Sequence, residues 1–306
     1  MLDGVTDAAA ATAFIEKCAA SLPVLLTAEQ PLMGPWTNMP VGTLSKEDSV
    51  SLFKQKSGLT DAAHDSAIAR IAILLDQQPF ALAIAARAMA ASKQMPEQYE
   101  ETLRQTINAA RGDATLAALT ASYRALNNAL QGLLLMLGAT FRGEASATLL
   151  SKVSGAPIES LQQATNILAQ LYLLERFERG GQPYYRLHPI VHAFTQTWLR
   201  GSNRLQGLQE KVRDTVLAYA RELSARGAAS HDALALEMDA MLATAQWASS
   251  NGDRDPASQL LMALTQSGDF VKQRGYMHEF LNLRALSVGS ASAFPAYGPE
   301  PIEEIE

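Results

Sequence analysis

One histidine in this chain stands at a structural hinge. His188 lies in Tyr184-Tyr-Arg-Leu-His-Pro-Ile-Val-His-Ala-Phe-Thr-Gln-Thr-Trp-Leu199, whose apolar period changes in mid-phrase. Before it, Leu173-Leu-Glu-Arg-Phe-Glu-Arg179 and Tyr184–Leu187 alternate as two short strands. Gly180-Gly181 between them supplies the positive φ of a hairpin turn. After Pro189, Ile190, Val191, Phe194 and Trp198 fall at helical spacing. Strand, turn, strand, His-Pro, helix is the wing of a winged helix. The imidazole at its hinge reads, from the residues alone, as a half-buried group capping backbone. Other chemistries find few candidates. The five histidines are otherwise scattered, the one H-x-x-x-H is His188 to His192, and Cys18 is the only cysteine, so no zinc-type cluster is legible. His188 and His192 are spaced i, i+4, but Pro189 puts His188 at or before the helix start. Spacing reveals no Ser/His/Asp set. No Gly-x-x-x-x-Gly-Lys-Ser/Thr loop occurs to cradle phosphates through backbone N–H groups and a lysine.

The elements that must position this hinge are mostly helical. Residues 1–44 read as a scrap of an α/β layer: a helix from Asp7 to Cys18, then Pro23-Val-Leu-Leu-Thr27 as a buried parallel strand. Residues 45–122 read as a helical domain. Ser45 caps one helix that stops near Gly58, and Thr60-Asp61 caps a second with Ile68, Ile71, Ala72 and Leu75 inward. Pro79 opens a third, a position its fixed φ favours, and Glu97 to Ala110 forms a fourth. Residues 123–203 carry helices at Leu126–Leu137, Glu144–Val153 and Ile158–Leu171 before the hairpin, the order of a winged helix-turn-helix. Residues 204–288 carry three more helical segments, resembling hairpins of a repeat array, with Met238, Met241, Leu242, Trp247 and Leu260 to Leu264 as core. Residues 289–306, rich in Ser, Ala, Pro and Glu, read as a disordered acidic tail.

Composition sets bounds on partners. The chain has 306 residues, 48% hydrophobic and 18% charged, with net charge -6, which does not draw it broadly to phosphate backbones or anionic lipid. Apolar runs such as Leu133 to Leu137 are far too short to span a membrane. Met1-Leu-Asp3 opens without a basic and apolar leader, and one cysteine permits no intrachain disulfide. The expectation is a mainly α protein of the cytoplasm.

Several short boxes then line up in one order. Leu2-Asp3-Gly-Val5, Val24-Leu-Leu-Thr-Ala-Glu29, Val41–Phe53, Gln78-Pro-Phe-Ala-Leu82, Arg186-Leu-His-Pro-Ile-Val191 and Leu234–Trp247 together resemble the STAND family of signal-transduction NTPases, in its bacterial NB-ARC form with C-terminal TPR-like helices. The resemblance spans about residues 1–285. It implies a fold of an α/β remnant, a helical domain, a winged helix and repeat-like hairpins. It implies that Asp3 ends a Walker B strand and assists Mg²⁺ chemistry, that Pro79 packs near adenine, and that His188 contacts the β-phosphate of ADP. It also implies ADP/ATP with Mg²⁺ as cofactors, a protein partner on the C-terminal helices, and self-association.

The departures from that pattern temper the cofactor. The phosphate loop is absent, Glu29 stands where a sensor Arg is usual, Gln78 replaces Gly and Pro189 replaces Asp. An acid at Glu29 would repel a γ-phosphate. The expectation is a regulatory, non-catalytic fragment of a nucleotide switch that binds ADP weakly or not at all. Two alternatives remain at this stage. One is a winged-helix DNA-binding regulator, against which Pro157 to Leu171 carries a single charge, Glu159, and no Lys or Arg to meet phosphate or guanine. The other is a TPR-like protein-interaction scaffold.

Overall fold

A computed structural model describes residues 1–110 and 112–289. Two compact units are present, Met1–Leu44 and the chain from Ser45 onward. In the first, α1 (Ala8–Cys18) starts where the Asp7 carboxylate accepts from the N–H groups of Ala9 and Ala10 at 2.8 and 3.0 Å. The segments on either side pair in parallel. Leu2 N–H donates to Leu25 O (2.8 Å), Thr27 N–H to Leu2 O (2.9 Å) and Val5 N–H to Thr27 O (2.8 Å). This is a single strand–helix–strand crossover. Pro23–Thr27 is extended and parallel but not the buried strand its apolar run predicts: Leu25 is 64% exposed. With one neighbouring strand in this unit, too little chain is present to cover both faces.

The second unit begins with α2 (Lys46–Ser57), where Ser45 Oγ accepts from Asp48 N–H at 3.0 Å. Asp61 caps a 3₁₀ turn at Ala62–His64, and α3 (Asp65–Leu74) follows. Next come α4 (Pro79–Ser92) and α5 (Pro96–Ala109), each with proline in its first turn. Phe53, Ile68, Ile71, Leu75, Leu82 and Leu103 are fully buried between these helices. A further helix, α6 (Ala114–Ala125), crosses the expected domain edge at 122/123. Its Ala- and Thr-rich sequence has little period to announce it, yet Asp113 caps it by accepting from Leu116 N–H at 2.8 Å.

The winged helix follows as α7 (Asn128–Ala139), β1 (Glu144–Ser146), α8 (Ala147–Ser154), α9 (Ile158–Gln170), β2 (Leu174–Arg179), β3 (Gln182–Leu187) and α10 (Pro189–Gly201). The sheet runs β1-β3-β2, all antiparallel, with Glu144 opposite Arg186 and Arg176 opposite Tyr185. Gly180 and Gly181 have φ of 58° and 71°, as the hairpin requires. The sequence reading began the second helix at Glu144, and β1 corrects it. Gly143 O accepts from Leu187 N–H at 2.8 Å and opens a ladder to β3, and Ser146 Oγ caps the helix by accepting from Leu149 N–H at 2.9 Å. Helix formation therefore starts after Ser146.

Helices α7 and α10 cross closely at Gly138. A Cβ there would sit 2.1 Å from Thr195 Oγ1, and Thr195 is fully buried. Gly138→Ala is expected to lower stability by about 2 kcal/mol through overpacking, read as a shift in urea midpoint with an unchanged slope.

The C-terminal part contains α11 (Leu205–Ala225), α12 (His231–Ser250), α13 (Asp255–Gln266), α14 (Phe270–Arg274) and α15 (Met277–Val288). Three segments were expected. The last divides because turns at 267–269 and 275–276 interrupt it. Met238, Met241, Leu242, Leu260 and Leu264 are buried as predicted, but Met262 within the expected core run Leu260 to Leu264 is exposed, because it lies on the outer face of α13. Trp247 stacks on Phe141 of the winged helix with ring centroids 5.0 Å apart. From residue 290 on, the predicted acidic tail lies outside the described residues. Among the described residues, no helix is long and apolar enough to cross a membrane.

Candidate functional site

His188 is the N-cap of α10. Its Nδ1 accepts from Ile190 N–H at 3.3 Å, so the proton of the neutral ring sits on Nε2. The Nε2–H makes no hydrogen bond among the described residues. Burial holds the imidazole pKa below its ordinary value, with Glu175 acting weakly the other way. His188 is therefore a neutral, single-donor imidazole at neutral pH.

The ring does not stand alone. It stacks on Phe80, with centroids 4.3 Å apart and planes at 28°. Phe80 follows Pro79 in the first turn of α4, where Pro79 itself is exposed. Two residues singled out from the sequence, Pro79 and His188, are thus brought to one place, and Phe80 makes the contact. Sequence reasoning overlooked Phe80 because an aromatic in Gln78-Pro-Phe-Ala-Leu82 looks like ordinary core. The stack ties the start of α4 to the β3–α10 hinge. A second contact of the same kind lies further along: Tyr123 of α6 packs 4.6 Å from Trp198 of α10.

Asp3 belongs to the other unit. Thr27 Oγ1 donates to Asp3 Oδ1 in a very short hydrogen bond, and Gly4 N–H donates to Thr27 Oγ1 at 2.9 Å. The two strand ends quoted above are therefore side by side. Asp3 is solvent-exposed, and Glu29 lies exposed beyond the strand. Hard divalent cations take about six oxygen ligands. Among the described residues, no group of three or more His, Cys, Asp or Glu is placed to hold a metal. Asp3, a lone carboxylate already bonded to Thr27, does not fit a resident Mg²⁺. For a nucleotide, His188 offers one donor and Phe80 one apolar ring, which suits one end of such a ligand.

A buried polar network gave no signal in the sequence. Glu237 on α12 is 2% exposed and accepts from Ser146 Oγ at 2.5 Å, while its Oε2 has no partner. Burial pushes its pKa up to about 7. Two residues on, Asp239 is clamped by Arg142 at 3.0 Å and Arg179 at 2.6 Å. Every partner comes from the winged helix, so this network fastens the C-terminal helices to it. In Leu234-Ala-Leu-Glu-Met-Asp-Ala-Met241 the two acids look like an ordinary solvated face.

Of the wing's three arginines, Arg176 is exposed and the other two are engaged. Arg179 is paired with Asp239, and Arg186 pairs with Glu144 at 2.9 Å while covering the Phe177 ring. The exposed side chains of α9 include Glu159, Gln163, Asn166 and Gln170, without a cation. No known family matches this chain, and no curated protein is detectably similar to it.

Proposed function

We propose that this chain is the regulatory part of a nucleotide-linked signalling switch of STAND/NB-ARC type, in which the winged helix is a lid docked on the helical domain. The observation that carries the reading is the Phe80–His188 stack, which joins the box at Pro79 to the box at His188. A strand–helix–strand unit with Asp3 beside Thr27 and a helical array after the winged helix are consistent with it. In this reading a ligand at the hinge meets His188 Nε2–H, and lid position is a two-state equilibrium that the ligand biases. In this reading the protein does not hydrolyse ATP by itself, because the sequence has no phosphate loop and nothing among the described residues takes its place. Exposed Met262, Met277 and Leu281 on the C-terminal helices offer apolar surface for a protein partner. DNA binding is not favoured, since two wing arginines are engaged and α9 presents no cation.

A fluorescent ADP analogue titrated against the protein tests this. Binding should be no tighter than about 100 μM and should weaken further in His188→Ala. Low-micromolar affinity would overturn the non-catalytic assignment, and binding indifferent to His188→Ala would remove the hinge from the site.

A further inference from the structure

A second contact between α4 and the winged helix has different chemistry. Tyr172 follows α9 in the left-handed region, at φ 59°, with its N–H donating to Ala169 O at 3.0 Å. Glycine is the usual occupant of such a helix-terminating position, and a tyrosine there stores local strain. Lys56, from the last turn of α2, places Nζ 5.1 Å from the centre of the Tyr172 ring. Arg87 of α4 places its guanidinium carbon 5.5 Å from the same centre. Arg87 lies seven residues after Phe80, so both project from one side of α4. All three side chains are half-buried.

Two cations are thus drawn to one ring with no carboxylate between them. Neither Lys56 nor Arg87 forms an ion pair among the described residues. Arg87 Nε–H is shut off from solvent without an acceptor. Half-buried like charges repel, and a buried donor without an acceptor is costly. The ring quadrupole offsets only part of this. Hydrogen bonding by Lys56 first, then by Arg87, also lowers the pKa of the Tyr172 hydroxyl, which leaves its O–H a better donor to an oxyanion. A negative charge, and an acceptor for Arg87 Nε–H, are what the cluster lacks.

We propose that Lys56, Arg87 and the Tyr172 hydroxyl form a receptor for a phosphate-class anion at the joint between the helical domain and the winged helix. The anion bridges α2 and α4 to the turn after α9 and so fastens the lid. The site is separate from the Phe80–His188 stack and stands whether or not ADP meets His188.

The test is a ³¹P line-broadening titration of inorganic phosphate with the full chain at constant ionic strength. Saturable broadening with Kd of about 1 mM is expected. It should weaken about tenfold in Lys56→Gln/Arg87→Gln and severalfold in Tyr172→Phe, which keeps the ring and both cations. Circular dichroism checks that the double variant folds. If it does not, Lys56→Gln alone, at a helix end, carries the test with an expected loss of about threefold. No broadening with the wild type, or broadening unchanged in the folded variants, would overturn the proposal. A second arm names the source. Displacement of phosphate by ADP at lower concentration, with that advantage lost in Phe80→Ala, supports the site and identifies a nucleotide's phosphate. Equal potency supports the site and identifies free phosphate.

Discussion

Stability should fall between about pH 4.5 and pH 7 on account of Glu237, and Glu237→Gln should abolish that fall. The carboxyl is 2% exposed, its Oε2 has no partner, and burial raises its pKa from 4.5 to about 7. In the unfolded chain it ionises at its ordinary value, so within that window the folded state holds a proton the unfolded state has lost. A raised acid contributes stability that is full below about pH 4.5 and is lost as pH rises through about 7. The difference corresponds to about 3 kcal/mol. The charged and titratable groups that interact with it are Arg179 of β2, Tyr184 of β3 and Tyr219 of α11. Of these, Arg179 opposes the rise, but it is bound to Asp239. Glu237→Gln keeps an acceptor for Ser146 and cannot ionise. Urea melts should therefore have a higher midpoint at about pH 5 than at about pH 8 for the wild type, and the variant should lose that difference. The residual slope of the variant should have the opposite sign. His188 and His192 have lowered pKa values, chiefly through burial, so their contribution is full above their ordinary value of 6.5 and is lost as pH falls through the lowered values. Wild type and variant with the same pH profile would contradict this account of the joint.

Gly143→Ala should cost about 3 kcal/mol and loosen the wing. Two penalties add there. The backbone has φ 66°, where a side chain is strained, and a Cβ would lie 2.8 Å from His192 Cγ. The His192 ring cannot retreat, because it is 3% exposed and its Nε2 is held to Thr140 O at 3.1 Å. Gly143 O also receives the Leu187 N–H that starts the β1–β3 ladder, so displacement there reaches the residue before His188. Gly155→Ala is the control. Its φ of 76° carries the same backbone penalty, but open space surrounds its Cβ position. That substitution should cost about 1 kcal/mol. Equal losses at the two positions, measured by urea midpoint, would show that the close contact with His192 contributes nothing.

What could be read in the sequence, and what could not, follows from the range of the interactions. The Gly180-Gly181 hairpin, the caps at Ser45 and Asp61, and the helices opened by Pro79 and Pro189 rest on local rules and were legible. Strand β1 was missed because three residues have no period, and their pairing with β3 spans some forty positions. Helix α6 was missed because its alanines pack on every side. At the site, His188 announced itself through the change of period, and Pro79 through its box. Phe80, Glu237 and the Lys56–Arg87–Tyr172 cluster carry no local signature. Each acquires its character from a partner distant in the chain: His188 for Phe80, Ser146 for Glu237, and one tyrosine ring for two cations.

The central claim is that the Phe80–His188 contact holds the winged helix on the helical domain. Spin labels at Ala91→Cys on α4 and Glu178→Cys on the wing, in a Cys18→Ser background, measure this directly by double electron–electron resonance. Both positions are exposed, and Cys18 is an exposed free thiol. The docked lid predicts one narrow distance distribution. Phe80→Ala with His188→Ala should add a longer, broader population, partial because Tyr123 and Trp198 still touch. A distribution unchanged by the double substitution would contradict the account.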